Sequence, residues 1–384
     1  MTARRVVAFG GGHGLSASLR ALRHCAPELD LDITAVVTVG DDGGSSGRLR
    51  AERGGLPPGD LRQALVALAG DHPATRRSAG LFQHRFAAVP AGVPPLGEAD
   101  PAPAATDRRN PDPRNPDPRN PDPRDQGADS QGPDGRGADG PGATVPGAER
   151  ASARADGLAG HAVGNLVLCG LMEMLGDPVA ALEHAGAMLG TVGRVLPMSR
   201  QPVGIEAQVR GVDPAAPDEV RTVRGQHQVA VTTGRVESLR LTPSAPPACA
   251  EVIEAIRAAD WLIFGPGSWY TSVLPHLLVP QLADAIVSTS ARRLVTLNLA
   301  AEKETLGLSV ADHLAALHWY LPELKVDLVL ADAKAVGDPE PVERAAESLG
   351  ARLVLAPVAV TGGTPRHDPA ALGAALVPVL GADR

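Results

Sequence analysis

Arg4-Arg5-Val6-Val7-Ala8-Phe9-Gly10-Gly11-Gly12-His13-Gly14-Leu15-Ser16 stands at the start of the chain and runs on into residues 17–24. Residues 4–9 have the β-branched and aromatic content of a buried strand, and residues 17–24 carry leucines at helical spacing. Between them, four glycines in five positions let the main chain turn with φ > 0 and come close to an anion. A helix that follows such a loop presents unpaired N–H groups and the positive end of its dipole. The stretch therefore predicts a phosphate cradle at the head of an α/β fold, with a nucleotide or sugar nucleotide as ligand. A tight turn without ligand is the plainer alternative. Gly10, Gly12 and Gly14 do not match the G-x-G-x-x-G dinucleotide spacing, and no Lys-Ser/Thr pair completes a P-loop.

Further strands are predicted at 33–39, 192–196, 261–264, 294–299, 326–331 and 353–358, with helices between most of them, which is the pattern of a doubly wound, mostly parallel, Rossmann-like sheet. A helix is expected over 60–68, with Asp60 as its N-cap after Pro57-Pro58-Gly59. The alternating runs 226–232 and 235–242 predict an antiparallel pair joined at Gly234, a small β-rich excursion. From about 90 to 155 the composition collapses into Pro, Gly, Asp, Ala and Arg, and Asn-Pro-Asp-Pro-Arg repeats at 110–114, 115–119 and 120–124. Such a segment lacks the apolar side chains that offset ordering entropy, so it is expected to be a disordered insertion interrupting one domain that spans 1–384.

With 384 residues, 43% apolar and 21% charged, the chain can bury a large core. A net charge of -8 argues against covering nucleic acid or an anionic membrane. Cys25, Cys169 and Cys249 show no disulfide or zinc spacing, and no window is apolar enough for a signal peptide or membrane span. A cytoplasmic protein is expected.

Ligands of open parallel sheets bind outside the carboxyl ends of the strands. At one such end, Gly40-Asp41-Asp42-Gly43-Gly44-Ser45-Ser46-Gly47-Arg48 combines two carboxylates, able to hold hydrated Mg²⁺ or accept from sugar hydroxyls, with hydroxyls and a guanidinium suited to phosphate. At another, Phe264-Gly265-Pro266-Gly267-Ser268-Trp269-Tyr270-Thr271-Ser272 offers backbone N–H groups and hydroxyls; Trp269 and Tyr270 are either base-stacking surface or core anchors. Two glycine loops at two strand ends point to two halves of one ligand. His161 and Asn165 lie one turn apart at the head of an apolar helix, either facing the ligand or satisfied in the core. No Ser-His-Asp order is recognisable, so a hydrolase is not expected.

Taken together, Gly10 to Ser16, Asp41 to Arg48, Pro57-Pro58-Gly59-Asp60-Leu61-Arg62, His161-Ala162-Val163-Gly164-Asn165 and Gly265 to Ser272 resemble the bacterial gluconeogenesis-factor family (YvcK-like). That family shares its fold with the 2-phospho-L-lactate transferases (CofD-like), which join phospholactate to a deazaflavin precursor from a guanosine diphospho-lactate donor. The resemblance implies a regulator of cell shape and cell-wall synthesis during gluconeogenic growth. It also implies binding of a UDP-sugar such as UDP-N-acetylglucosamine, and serine/threonine kinases and cell-wall synthesis proteins as partners. A homo-oligomer stays open. Carried over by position, Gly10, Gly11, Gly12, His13 and Gly14 with Ser268, Thr271 and Ser272 meet phosphates, Asp41 and Asp42 a metal or sugar hydroxyls, and Asn165 the sugar or base. Ser45, Ser46, Arg48, Gly265, Gly267 and Tyr270 complete the expected site. His13 stands where the family pattern usually has Thr, an imidazole for a hydroxyl. A Mg²⁺-dependent transferase of the phospholactate type is the alternative reading. A second is an NAD-binding protein, against which the glycine spacing argues.

Overall fold

The structure, a computed structural model, describes residues 3–88, 157–305 and 307–382. The chain divides into two units, Met1–Phe86 with Gly160–Arg384 and, separately, Ala87–Ala159, and nearly all described residues belong to the first. The insertion predicted at about 90–155 lies outside the described residues.

In chain order the described strands are β1 (Arg4–Gly10), β2 (Leu31–Val37), β3 (Arg194–Pro197), β4 (Gly204–Arg210), β5 (Val220–Arg224), β6 (Arg235–Thr242), β7 (Trp261–Phe264), β8 (Arg292–Thr296), β9 (Leu328–Asp332) and β10 (Arg352–Ala356). Seven make a parallel sheet in the order β10-β9-β8-β7-β1-β2-β3, and β5-β4-β6 form a separate antiparallel sheet. This is the α/β, Rossmann-like architecture with a β-rich excursion. The six strands predicted after the first overlap β2, β3, β7, β8, β9 and β10. Their continuous apolar runs follow from burial on both faces, as in β7, where Trp261, Leu262, Ile263 and Phe264 are all buried. Phe9 and Phe264 stack at 4.9 Å between ring centres and tie the two central strands together.

The helices nearest the strand ends are α1 (Gly12–Leu29), α2 (Gly44–Arg53), α3 (Pro58–Ala67), α4 (Pro73–Gln83), α5 (Val163–Leu175), α6 (Pro178–Leu189) and α7 (Gln226–Val231). In α1, Leu15, Leu19 and Leu22 recur at intervals of four and three and are buried against the sheet. The helix Pro369–Gly381 crosses α1 at Gly373, where a Cβ would stand 3.0 Å from the Ala21 carbonyl oxygen.

Two local expectations are corrected. Residues 226–231 are helical, and the partners of β6 and β5 are the two edges of β4. The turn is imposed from far away: Gly225 adopts φ 95°, the Asp42 carboxylate accepts the His227 N–H at 2.8 Å, and Val229 is drawn into the core. Asp60 is not an N-cap, because α3 starts earlier, with Pro57 extended before it and Pro58, whose fixed φ suits the first turn. Asp60 instead lies inside α3, buried.

From β1 the chain proceeds to β2 and β3 on one side of the sheet, while β7 leads to β8, β9 and β10 on the other. The switch point lies between the carboxyl ends of β1 and β7, where a crevice opens.

Candidate functional site

Both glycine loops arrive at this switch point and touch. A Cβ on Gly14 would stand 2.3 Å from the Pro266 carbonyl oxygen and 2.4 Å from the Gly267 Cα, so main chain packs directly on main chain. Gly12 adopts φ 57°, turning the chain into α1. The two loops border a cleft of about 1000 Å³ whose wall includes Gly11, Gly12, His13 and Gly14 from the β1 side and Gly267, Ser268, Thr271 and Ser272 from the β7 side. Asp60, Arg20, Arg62, Arg85, Asn298 and Glu302 are among the other polar residues of its lining. Its volume suits a ligand the size of a nucleotide sugar. A smaller hollow of about 470 Å³ also has arginines, but Arg23 and Arg76 there are paired with Asp71 at 3.0 and 3.6 Å.

Asp60 forms the floor beneath the first loop. A Cβ on Gly11 would meet Thr38 Oγ1 at 2.5 Å and Asp60 Oδ2 at 2.6 Å, so only glycine lets the loop lie this low. Burial, with the nearby Asp41 charge adding to it, pushes the Asp60 carboxyl up to about 7. The same crowding explains Gly59, whose Cβ would collide with Ser46 Oγ at 2.3 Å and Asp41 Oδ2 at 2.8 Å.

The β7 loop is braced from behind by two residues that the sequence reading does not single out. Asn298 clamps Gly267, accepting its N–H and donating to its carbonyl, both at 2.8 Å. Glu304, 2% exposed, accepts from Ser268 Oγ at 2.5 Å and from the Tyr270 N–H at 2.9 Å, and burial raises its carboxyl to about 7. Trp269 is a core anchor, 1% exposed and stacked on His313 at 5.4 Å, and Tyr270 is buried too.

Asp41, Asp42, Ser45, Ser46, Arg48 and Asn165 stand behind the cleft wall rather than on it. Asp41 accepts the Gly43 N–H at 3.0 Å. Ser45 Oγ is shared by His161 Nδ1 and by the Asn165 amide, each at 2.9 Å; Asn165 in turn accepts from Arg62 Nε at 2.8 Å, and Arg62 also donates to Gln83. His161 thus joins Asn165 at Ser45, although it precedes α5 rather than sharing its face. The chain of bonds fixes Arg62, 3% exposed, against the cleft, and burial together with Arg85 lowers its guanidinium to about 10. Arg48 lies by Gly160, 3.3 Å from a Cβ built there. Gly10 is the last residue of β1, and Gly265, at φ 75°, directly follows β7.

Asp42 is turned to α7, where one of its carboxylate oxygens accepts the His227 N–H. The Asp41 and Asp60 charges interact beside the β1 loop. Among the described residues no group of three His, Cys, Asp or Glu is placed to hold a metal, and no helix is long and apolar enough to cross a membrane.

The family described as 2-phospho-L-lactate transferase CofD matches residues 6–354. The chain is 43% identical over 382 residues to a protein of Mycobacterium tuberculosis named "Putative gluconeogenesis factor", covering 98% of this chain and 91% of that one. It is 31% identical over 351 residues to the "Gluconeogenesis factor" of Bacillus subtilis, covering 91% and 84%. A crystal structure of a UPF0052 family member from Bacillus halodurans superposes with a TM-score of 0.71 at 28% identity, covering 98% of this chain and 99% of the other. The chain therefore belongs to the CofD family, alongside the relatives named gluconeogenesis factor.

Proposed function

We propose that the chain binds a UDP-sugar such as UDP-N-acetylglucosamine in the cleft between the β1 and β7 loops and acts in the cytoplasm as a regulator of cell shape and cell-wall synthesis. The observation that carries this reading is the apposition of the two glycine loops at the switch point, with the N-terminus of α1 opening into a cleft of about 1000 Å³. Gly12, His13 and Gly14 head the helix; the Gly12 N–H goes to Asp60, and the His13 and Gly14 N–H groups lack intrahelical partners and suit a diphosphate. Arg20, Arg62 and Arg85 add positive charge along the same wall. Serine/threonine kinases and wall-synthesis proteins are the partners this role calls for.

Thermal unfolding with and without UDP-N-acetylglucosamine tests it: ligand at about 100 times its dissociation constant adds about 2.7 kcal/mol of stability. No shift with any UDP-sugar would sink the proposal.

The family description favours a second reading, a transferase that uses a nucleoside diphosphate donor. Mg²⁺ would there neutralise charge on the donor diphosphate. Turnover of a guanosine diphospho-lactate donor with a deazaflavin acceptor would decide for it.

A further inference from the structure

His367 stands on the segment that links β10 to the helix Pro369–Gly381, beyond the residues 6–354 that the family matches. The chain turns back on itself there. Ala359 and His367 form an antiparallel bridge, the Val360 N–H donates to the Arg366 carbonyl at 2.9 Å, and the Asp368 N–H donates to the Val358 carbonyl at 2.8 Å. The Asp332 carboxylate at the end of β9 accepts from the Val358 and Ala359 N–H groups at 2.9 and 3.1 Å. The imidazole is thus carried on pinned main chain to the wall of the cleft.

Its two nitrogens differ. One hydrogen-bonds the Leu297 carbonyl, just past the end of β8, whereas Nε2 is buried and has no partner among the described residues. A carbonyl only accepts, so the ring proton sits on Nδ1 and Nε2 carries the lone pair. Burial holds the imidazole below its ordinary range, against the opposing pull of the Leu297 carbonyl and the Asp332 charge, which keeps this neutral form in place at pH 7. A buried acceptor left without a donor is costly, and an O–H or N–H brought into the cleft removes that cost.

We propose that His367 is a specificity residue of the cleft, whose Nε2 accepts a hydrogen bond from a hydroxyl or N–H group of the nucleotide sugar. This rests on the nucleotide-sugar reading above and adds to it a residue outside the matched family region.

Titration calorimetry with UDP-N-acetylglucosamine on three variants decides it, with a cooperative melting curve as the check that each one folds. H367A weakens the ligand about tenfold, the worth of one hydrogen bond. H367Q, which keeps an acceptor, recovers most of that loss. H367K, which only donates and brings a charge suited to phosphate, loses as much as H367A. UDP as a second ligand locates the donor: a loss that UDP shares places it on the nucleoside, and a loss confined to the sugar nucleotide places it on the sugar. Affinity kept or raised in H367K means a cation meeting phosphate and overturns the proposal. Unchanged affinity in H367A, or equal loss in H367A and H367Q, overturns it as well, and this pair decides alone should H367K not fold. In all these cases wild-type binding leaves the nucleotide-sugar reading standing. Wild-type protein that takes no UDP-sugar overturns that reading, and this proposal with it.

Discussion

At the scale of the residue, one added methyl is the sharpest probe of the site. In Gly14→Ala the new Cβ falls 2.3 Å from the Pro266 carbonyl oxygen, and because both neighbours are main chain, no side chain can swing away. We expect about 1–3 kcal/mol of destabilisation, read as a lower urea midpoint, together with loss of nucleotide-sugar affinity. Glu304 supplies a pH-dependent counterpart. Burial holds its folded carboxyl at about 7, above its ordinary value of 4.5, so the native state binds the extra proton; that stability is complete below about pH 4.5 and is lost as pH rises through 7. Asp60 slopes the same way. E304Q should accordingly gain on the wild type between pH 5 and pH 8, by an amount on the order of a few kcal/mol. Urea unfolding at the two pH values checks it, and a difference that does not change with pH would refute it.

At the scale of the element, α7 shows how a distant loop writes local structure. Its alternating Gln226-His227-Gln228-Val229-Ala230-Val231 reads as a strand, yet the Asp42 carboxylate, 185 positions earlier, holds the His227 N–H and starts a helix. Removing it in Asp42→Ala should cost about 1 kcal/mol, as a lost cap does. It should also weaken ligand binding through Gln226 and Ala230, which line the cleft, so calorimetry and a melting curve on one variant test both effects. The main-sheet strands are legible because their runs are apolar on both faces, and the glycine loops because their composition has few other uses. Asp60, Asn298 and Glu304 are harder to read. Each is a single polar residue whose meaning arises only when α3, the end of β8 or the turn at 303–305 folds against a loop far off in sequence. Ser45 and Asn165 sit in recognisable motifs, but their bonds to each other and onward to Arg62 make them the frame behind the wall. Asn165→Ala should leave the Arg62 guanidinium short of an acceptor and cost about 1–3 kcal/mol, visible as a lower melting temperature.

At the scale of the whole molecule, the chain leaves the main unit and re-enters it at one point. The Phe86 N–H donates to the His161 carbonyl at 3.1 Å and the Gly160 N–H to the Phe86 carbonyl at 2.8 Å, so the two ends are already joined by main-chain bonds. Replacing residues 90–155 with a short glycine-serine bridge should therefore preserve cooperative unfolding and ligand affinity, because a shorter loop changes closure entropy only slightly; a broadened transition would count against this. The contact of Gly14 with Pro266 and Gly267 has a wider consequence. Since the separation of the two loops is set where backbone rests on backbone, the site behaves as a calliper with fixed jaws: exchanging side chains along the cleft re-dresses the jaws and alters which groups are welcomed, while the length of ligand that can bridge them stays the same.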